Sequence, residues 1–242
     1  EYNPFECIKT NIGGAMNLID ACIDQNVKRV VALSTDKASS PINLYGATKL
    51  ASDKLFVAGS SSYAAGYNTR FAVVRYGNVM GSRGSVIPLF MSIKEKGVLP
   101  ITDPRMTRFM ISLEQGVELV WHAFDDMIGG EIYVKKIPSM KVTEVANVIA
   151  PDAEQKVIGI RPGEKLHEQM IGEEDSHNTY EYPDHYKILT HINNWEDDPK
   201  RIKNGVKVPE GFVYRSDTNP SWMSGDDLRA WIDLNANNIG KI

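Results

Sequence analysis

The chain has 242 residues, 42% of them hydrophobic and 24% charged, with a formal net charge of −4 and two cysteines. That balance suits a soluble cytoplasmic enzyme and argues against nucleic-acid binding. No apolar run approaches the ~20 residues that cross a bilayer and no signal-peptide pattern is present, which leaves a membrane anchor upstream open.

From the amino end, Asn3 as cap, Pro4 at the first helical position and apolar Phe5, Ile8, Ile12, Met16, Ile19 and Ile23 at three- and four-residue steps predict a helix to about Gln25. It is expected to cover one face of a sheet. Val30-Val31-Ala32-Leu33 reads as a short, buried, parallel strand, and Ser34-Thr35-Asp36-Lys37 follows at its carboxyl end, where open α/β sheets bind ligands. A helix from Tyr45 sets Tyr45 and Lys49 on one face, four residues apart. The strand Arg70 to Arg75 then closes a β-α-β unit, which a right-handed crossover makes parallel. Further on, Tyr76 to Ser85 is a Gly-rich turn leading to a helix that starts at Ser85, and Leu99 to Thr102 is extended. Ser112-Leu113-Glu114-Gln115 is a capping box that opens a helix to about Phe124, and Glu131 to Val134 is a later strand of the same sheet. The remaining Gly- and Pro-punctuated segments read as a smaller substrate-binding domain.

The chemistry concentrates around Ser34 to Lys49. A free tyrosine, with a pKa of about 10, is a poor base at neutral pH, and a neighbouring ammonium favours its phenolate. Lys49 is therefore expected to make Tyr45 a usable base. A lone Tyr-x-x-x-Lys is common on helices, but the strand ending in Ser-Thr-Asp-Lys turns this one into a candidate reaction centre. The glycines, Asn78 and Arg83 of the later turn suit a diphosphate. Taken alone it is only a turn, just as Arg161-Pro162-Gly163-Glu164 is only a loop before a capped helix and Thr102 only an edge-strand threonine.

These residues resemble the extended short-chain dehydrogenase/reductase superfamily. Within it, Thr35-Asp36-Lys37 is similar to the inverting UDP-N-acetylglucosamine 4,6-dehydratases of pseudaminic acid synthesis, whereas retaining enzymes usually carry Thr-Asp-Glu there. The similarity runs along essentially the whole chain and includes Asn11, Arg75 to Val79, Gly81 to Ser85, Met106 to Phe109, Arg161 to Lys165 and Asn178 to Tyr182. It implies an α/β fold, a partial Rossmann-like doubly wound parallel sheet with a smaller α/β substrate-binding domain. Residues 1–82, re-entered at about 112–136, would form the first part, and 83–242 mainly the second. It implies a UDP-sugar substrate, NADP as cofactor with NAD as the other choice, and a homo-oligomer.

By the same resemblance, Thr35, Asp36, Lys37, Tyr45 and Lys49 are catalytic. Tyr45 and Lys49 also hold the cofactor, with Val79 bordering the nicotinamide. Asn78, Arg83, Gly84, Ser85, Val86, Ile87, Thr102, Arg161 and Glu164 hold the nucleotide sugar. Lys37 is expected to be a base kept neutral by burial and by Lys49, and Asp36 a protonated acid. A solvated ion pair is the plainer alternative for the two. A retaining dehydratase, a 4-epimerase and a non-catalytic nucleotide-sugar binding module are the competing functions.

One feature departs from this pattern. There is no G-x-G-x-x-G near the start, and Gly13-Gly14 lies inside a helical pattern, so the phosphate-cradling turn of a dinucleotide fold is not found. The chain reads as the carboxyl-terminal part of a longer enzyme, expected to bind UDP measurably and NADP feebly. Cys7 and Cys22 read as reduced, packed thiols. His122, His167, His177, His185 and His191 lack metal-ligand spacing, so no metal is expected. Trp121, Trp195, Trp222 and Trp231 read as core or interface anchors, Met106 and Met110 as core. Arg108 could meet a phosphate, a neighbouring subunit or a surface carboxylate.

Overall fold

The computed structural model describes residues 2–60, 66–190 and 192–241; His191 lies outside them. In chain order the elements are α1 (Pro4–Ile8), α2 (Gly14–Asp24), β1 (Arg29–Thr35), α3 (Leu44–Ala58), β2 (Arg70–Tyr76), β3 (Asn78–Val79), α4 (Val86–Ile93), β4 (Val98–Ile101), β5 (Thr107–Ile111), α5 (Leu113–Asp126), β6 (Ile132–Lys135), β7 (Ser139–Lys141), α6 (Val142–Ile149), β8 (Glu154–Val157), β9 (Gln169–Ile171), α7 (Glu173–Ser176), β10 (Thr179–Glu181), β11 (His185–Ile188), α8 (Pro199–Ile202), β12 (Val206–Lys207) and α9 (Gly225–Asn235). They divide into two compact units. The first holds residues 1–76, 116–136 and 169–214; the second holds 77–115, 137–168 and 215–242. The chain thus enters the first unit again twice, and the segment over 169–214 joins the sheet.

In the first unit the sheet order is β1-β2-β6-β11-β10-β12. The β1, β2 and β6 strands run parallel, as the β-α-β pattern predicts, while β11, β10 and β12 add antiparallel strands. Strand β2 is buried along Phe71 to Arg75, as expected of a central strand covered on both faces. Strand β1 pairs only with β2 among the described residues, so its apolar residues are half-buried rather than buried, and Leu33 is 53% exposed. Leu119, Ala123 and Met127 of the α5 segment pack on Ala72, Val74 and Tyr133, each such buried side chain contributing roughly 1.5–3 kcal/mol when large.

The predicted amino-terminal helix is interrupted. Lys9–Gly13 forms a π turn between α1 and α2, and Asn11 within it donates from Nδ2 to Thr48 Oγ1 at 2.9 Å. A π turn inserts one residue and rotates the helical segment before it relative to the segment after it. Ala15, Ile19 and Ile23 are accordingly buried, whereas Phe5, Ile8 and Met16 face solvent. Asn3 makes no side-chain cap bond.

The second unit joins β3, β5 and β7 in one small sheet and pairs β4 with β8 in another. Its core gathers Met80, Ile87, Phe90, Leu99, Met106, Met110 and Val145, with Trp231 packed on it. The methionines are therefore core as expected. Trp121 and Trp222 are exposed, so of the four tryptophans these two do not serve as core. At the start of α5, Ser112 and Gln115 complete the predicted capping box reciprocally.

Candidate functional site

Two arrangements stand out, one in each unit. In the first, β1 ends at Thr35, and a tight turn over Asp36–Ala38 comes next, capped by Thr35 Oγ1 accepting from the Lys37 N–H. The Thr35 hydroxyl donates to Asp36 Oδ1 at 2.7 Å, and Lys37 Nζ donates to the same oxygen at 3.0 Å. Asp36 is completely buried, and its Oδ2 has no hydrogen-bond partner among the described residues. The solvated pair considered from the sequence is thus ruled out on the acid's side. Nor is Lys37 kept neutral by burial: its side chain is 37% exposed and bonded to the carboxylate.

Helix α3 begins beside this turn. Asn43 caps it, accepting from the Gly46 N–H at 2.7 Å, and a Cβ on Gly46 would lie 2.4 Å from the Lys37 carbonyl oxygen. Only glycine permits that approach, and it brings Tyr45 next to the Asp36–Lys37 turn. Burial pushes the Tyr45 phenol above its ordinary pKa; Lys37 is the cation that pulls it down, and Asp36 and Cys7 oppose it. Lys49, expected from the sequence to perform this task, donates from Nζ to the Leu33 carbonyl at 2.9 Å, and Lys37 is the cation named on the phenol. Behind the site, Ser34 Oγ donates to Asp53 Oδ2 at 2.8 Å, and the buried Arg75 reaches the same oxygen at 3.2 Å and the Met170 carbonyl at 2.8 Å. This network pins the ends of β1 and β2 to α3.

The donor set suits the nicotinamide and ribose end of a dinucleotide. A 42% exposed phenol and an ammonium held by a strand-end carbonyl stand at the carboxyl end of a parallel strand. The Gly-rich turn that would cradle a pyrophosphate is not among these 242 residues.

The second unit holds a cavity lined by Asn78, Val79, Gly84, Ser85, Val86, Ile87, Thr102, Arg161 and Glu164, all named from the sequence. Arg83 is exposed and does not line it. Sequence reasoning missed most of the apolar wall, which includes Phe90, Pro100, Met110, Val142 and Ile158. Ile158 is brought there by its N–H bond to the Ile101 carbonyl, a contact between distant segments that no local pattern signals. Two buried polar atoms of this lining, Asn78 Oδ1 and Ser85 Oγ, have no hydrogen-bond partner among the described residues. Buried polar groups of folded proteins are nearly always satisfied, so a ligand that meets these two is the physical expectation.

Arg161 and Glu164 approach each other at 3.9 Å, in a loop that no helix follows. Arg108 also lines the cavity and is fixed there by Glu168 at 3.5 Å and by the carbonyls of Thr107 and Leu166. Its partner is a buried carboxylate, not a surface one. Among the described residues no three His, Cys, Asp or Glu side chains gather as a metal site would require.

A family model described as "Polysaccharide biosynthesis protein" matches residues 1–190. Over 235 residues the chain is 57% identical to the inverting UDP-N-acetylglucosamine 4,6-dehydratase of Campylobacter jejuni, covering 94% of this chain and 70% of that protein. UDP-glucose 4-epimerase of Rickettsia conorii is 42% identical, with 78% of this chain and 56% of the other covered. Among solved structures, Pen from Bacillus thuringiensis superposes with a TM-score of 0.85 at 38% identity, over 98% of this chain and 72% of that one. DesIV, a dTDP-glucose 4,6-dehydratase from Streptomyces venezuelae solved with NAD and TYD bound, shares the fold at a TM-score of 0.62 and 20% identity, over 97% and 68% of the two chains.

Proposed function

The chain belongs to the polysaccharide biosynthesis protein family and, within it, to the inverting UDP-N-acetylglucosamine 4,6-dehydratases, and from that premise we propose how its residues share the reaction. The reaction removes water from UDP-N-acetylglucosamine and inverts C5, giving UDP-2-acetamido-2,6-dideoxy-L-arabino-hex-4-ulose, the first step towards pseudaminic acid. The cofactor is a nicotinamide dinucleotide, NADP in this reading, and the enzyme works as a cytoplasmic homo-oligomer.

Tyr45 and Lys49 would hold the nicotinamide, which would supply reversible hydride transfer from C4 to C6 of the sugar, so that no net oxidation would occur. Tyr45 Oη, as the phenolate that Lys37 favours against the effect of burial, takes the proton of the C4 hydroxyl, with Thr35 Oγ1 hydrogen-bonded to the same oxygen. The resulting C4 ketone acidifies the C5 hydrogen. Lys37 and Asp36 then act as one proton-sharing pair. At rest they are an ammonium and a carboxylate 3.0 Å apart. Moving one proton from Lys37 Nζ onto the Asp36 carboxyl creates a free amine and a carboxylic acid in a single step. The amine removes the C5 proton, and the acid protonates the C6 hydroxyl, which departs as water. Lys37 Nζ then returns its proton to the opposite face of C5, which inverts it, Asp36 is again a carboxylate, and the proton that Tyr45 took from the C4 hydroxyl passes back to Lys37 to restore the resting pair. This sharing replaces the need for a permanently neutral lysine.

In the second unit, Asn78 and Ser85 offer their partnerless oxygens to the nucleotide sugar, and Arg108 and Arg161 face its diphosphate. The observation that carries the reading is the buried Asp36, bonded at one oxygen to both Thr35 and Lys37 and partnerless at the other. The test is incubation of the enzyme with UDP-N-acetylglucosamine and NADP in deuterated water, and then NMR of the product. Deuterium at an inverted C5 is the expected result. An unlabelled product, or a C4 epimer with its C6 hydroxyl retained, overturns the assignment.

A further inference from the structure

The part of the cavity wall between β3 and α4, Met80 to Ser85, is a loop, and Gly81 within it does not line the cavity. Gly81 instead meets the end of the chain. Its carbonyl accepts the Gly240 N–H at 2.8 Å. A Cβ built on Gly81 would lie 2.7 Å from Trp231 Cη2 and 3.4 Å from Ile239 Cγ1, so the indole and the isoleucine press directly on the backbone. The loop turns twice through left-handed conformations, at Gly81 with φ 72° and at Gly84 with φ 79°, which only glycine adopts without strain. Such a turn has many alternatives, and the bonds within it that hold this shape are few: Ser82 N–H to Val79 at 3.2 Å and Ser85 N–H to Ser82 at 3.0 Å.

The clamp is itself anchored. Ser224 and Asp227 close a capping box at the start of α9, and Leu228 is completely buried. Asn235 Nδ2 bonds the Trp231 carbonyl at 2.9 Å, and the Ile239 N–H bonds the Asn235 carbonyl at 3.2 Å, which folds the residues after α9 back towards the loop. Trp231, Ile232 and Ile239 pack against the core that contains Met80, Ile87 and Phe90.

We infer that Trp231, Ile239 and Gly240 are positioning residues for substrate binding: they hold the Gly81 turn so that Asn78 and Ser85, on either side of it, present their oxygens to the nucleotide sugar together. The inference rests on the reading of this cavity as the nucleotide-sugar site. A helix whose only role is to fill the core would affect stability and leave affinity alone. A loop clamp acts on affinity, because misplacing donors by an ångström is enough to cost up to about 10²-fold.

The test measures UDP binding by calorimetry, and KM and kcat for UDP-N-acetylglucosamine, in the wild type, Trp231→Ala, Trp231→Phe and Trp222→Ala, the last altering an exposed tryptophan as control. Trp231→Ala is expected to weaken UDP binding and raise KM about tenfold, with kcat held within about threefold. Trp231→Phe is expected to restore most of the affinity, and a UDP-induced change in tryptophan emission, expected in the wild type, should shrink in it although binding persists. Trp222→Ala behaves as wild type. Should Trp231→Ala fail to fold, Ile239→Ala trims the same clamp, and UDP binding about threefold weaker is expected. Unchanged UDP affinity in Trp231→Ala or Ile239→Ala, with the wild type binding normally, overturns the clamp and leaves the cavity assignment standing. A wild type that does not bind UDP overturns the cavity assignment, and the clamp with it.

Discussion

The strand-end cluster of the first unit and the cavity of the second are prepared for their tasks in opposite ways. Around Asp36 the protein supplies most partners itself and leaves only the carboxylate Oδ2 without one among the described residues: Thr35 and Lys37 share Oδ1, Lys49 is tied to Leu33, and Ser34, Asp53 and Arg75 form a closed network behind. In the cavity the protein withholds them, since Asn78 Oδ1 and Ser85 Oγ are buried with no hydrogen-bond partner among the described residues. Reactive groups must keep their geometry before a substrate arrives, because catalysis depends on prearranged dipoles and proton donors. A binding wall gains selectivity from leaving polar atoms for the ligand to complete. On the proposed reading one region serves chemistry and the other recognition, and substitutions should separate the two.

The largest effect is expected for Lys37→Ala. It removes the proton-sharing partner of Asp36, so dehydration should fall by at least about 10³-fold, within the usual range for a lost acid–base group, while UDP affinity stays within about twofold. Product formation monitored by NMR beside calorimetric UDP titration reads both, and parallel loss of the two would break the division between chemistry and recognition. Next comes Arg75→Met, which leaves Asp53 buried beside Ser34 with its main cation gone. Removing one partner of a buried pair costs about 3–5 kcal/mol, to be read as a lower urea midpoint, and Arg75→Met combined with Asp53→Leu should recover much of it. A Ser85→Ala variant sharpens the contrast from the other side. It deletes an oxygen that has no partner in the free protein, so thermal stability should hold or rise slightly, and UDP affinity should drop about two- to tenfold, the worth of one hydrogen bond. Loss of stability without loss of affinity would show that the hydroxyl serves the fold.

How much of this the sequence disclosed depends on where each contact lies along the chain. Thr35, Asp36, Lys37, Tyr45 and Lys49 fall within fifteen residues, on a β-branched strand and a helix of regular spacing, so both their elements and their shared position are legible. The π turn at Lys9–Gly13 is not, because apolar residues continue at helical steps straight through it. The strands Thr179–Glu181 and His185–Ile188 are three and four residues long, too short for an alternation to register, and their place in the sheet comes from the pairing of the second with β6 some fifty residues earlier and of the first with the second. The same distance hides the apolar cavity wall and Glu168 as partner of Arg108. Trp121 reads as an anchor by its size alone, and its 65% exposure shows that residue type does not fix which face of α5 it takes.

The smallest effect expected concerns a cluster that periodicity could not assemble. His122 of α5 and His185 of β11 stand with ring centroids 4.5 Å apart, and Tyr182 stacks on His185 at the same distance with an interplanar angle of 2°. The groups that face His185 are Asp184, bonded to its Nδ1 at 2.9 Å, His122, and the buried Lys187, whose ammonium is bonded to Asp126. Burial depresses the His185 pKa, His122 and Lys187 act in the same direction, and Asp184 opposes them without prevailing. A histidine with a lowered folded pKa binds protons less readily than in the unfolded chain, whose imidazole titrates near 6.5. Its contribution to stability is therefore complete above that pH and is lost as the pH falls below it, when the unfolded state gains a proton that the native state refuses. The urea midpoint should decrease from pH 7.5 to pH 5.5, and His185→Phe, which keeps a ring against Tyr182, should flatten that dependence. An equal slope in the variant would assign the acid sensitivity to other groups.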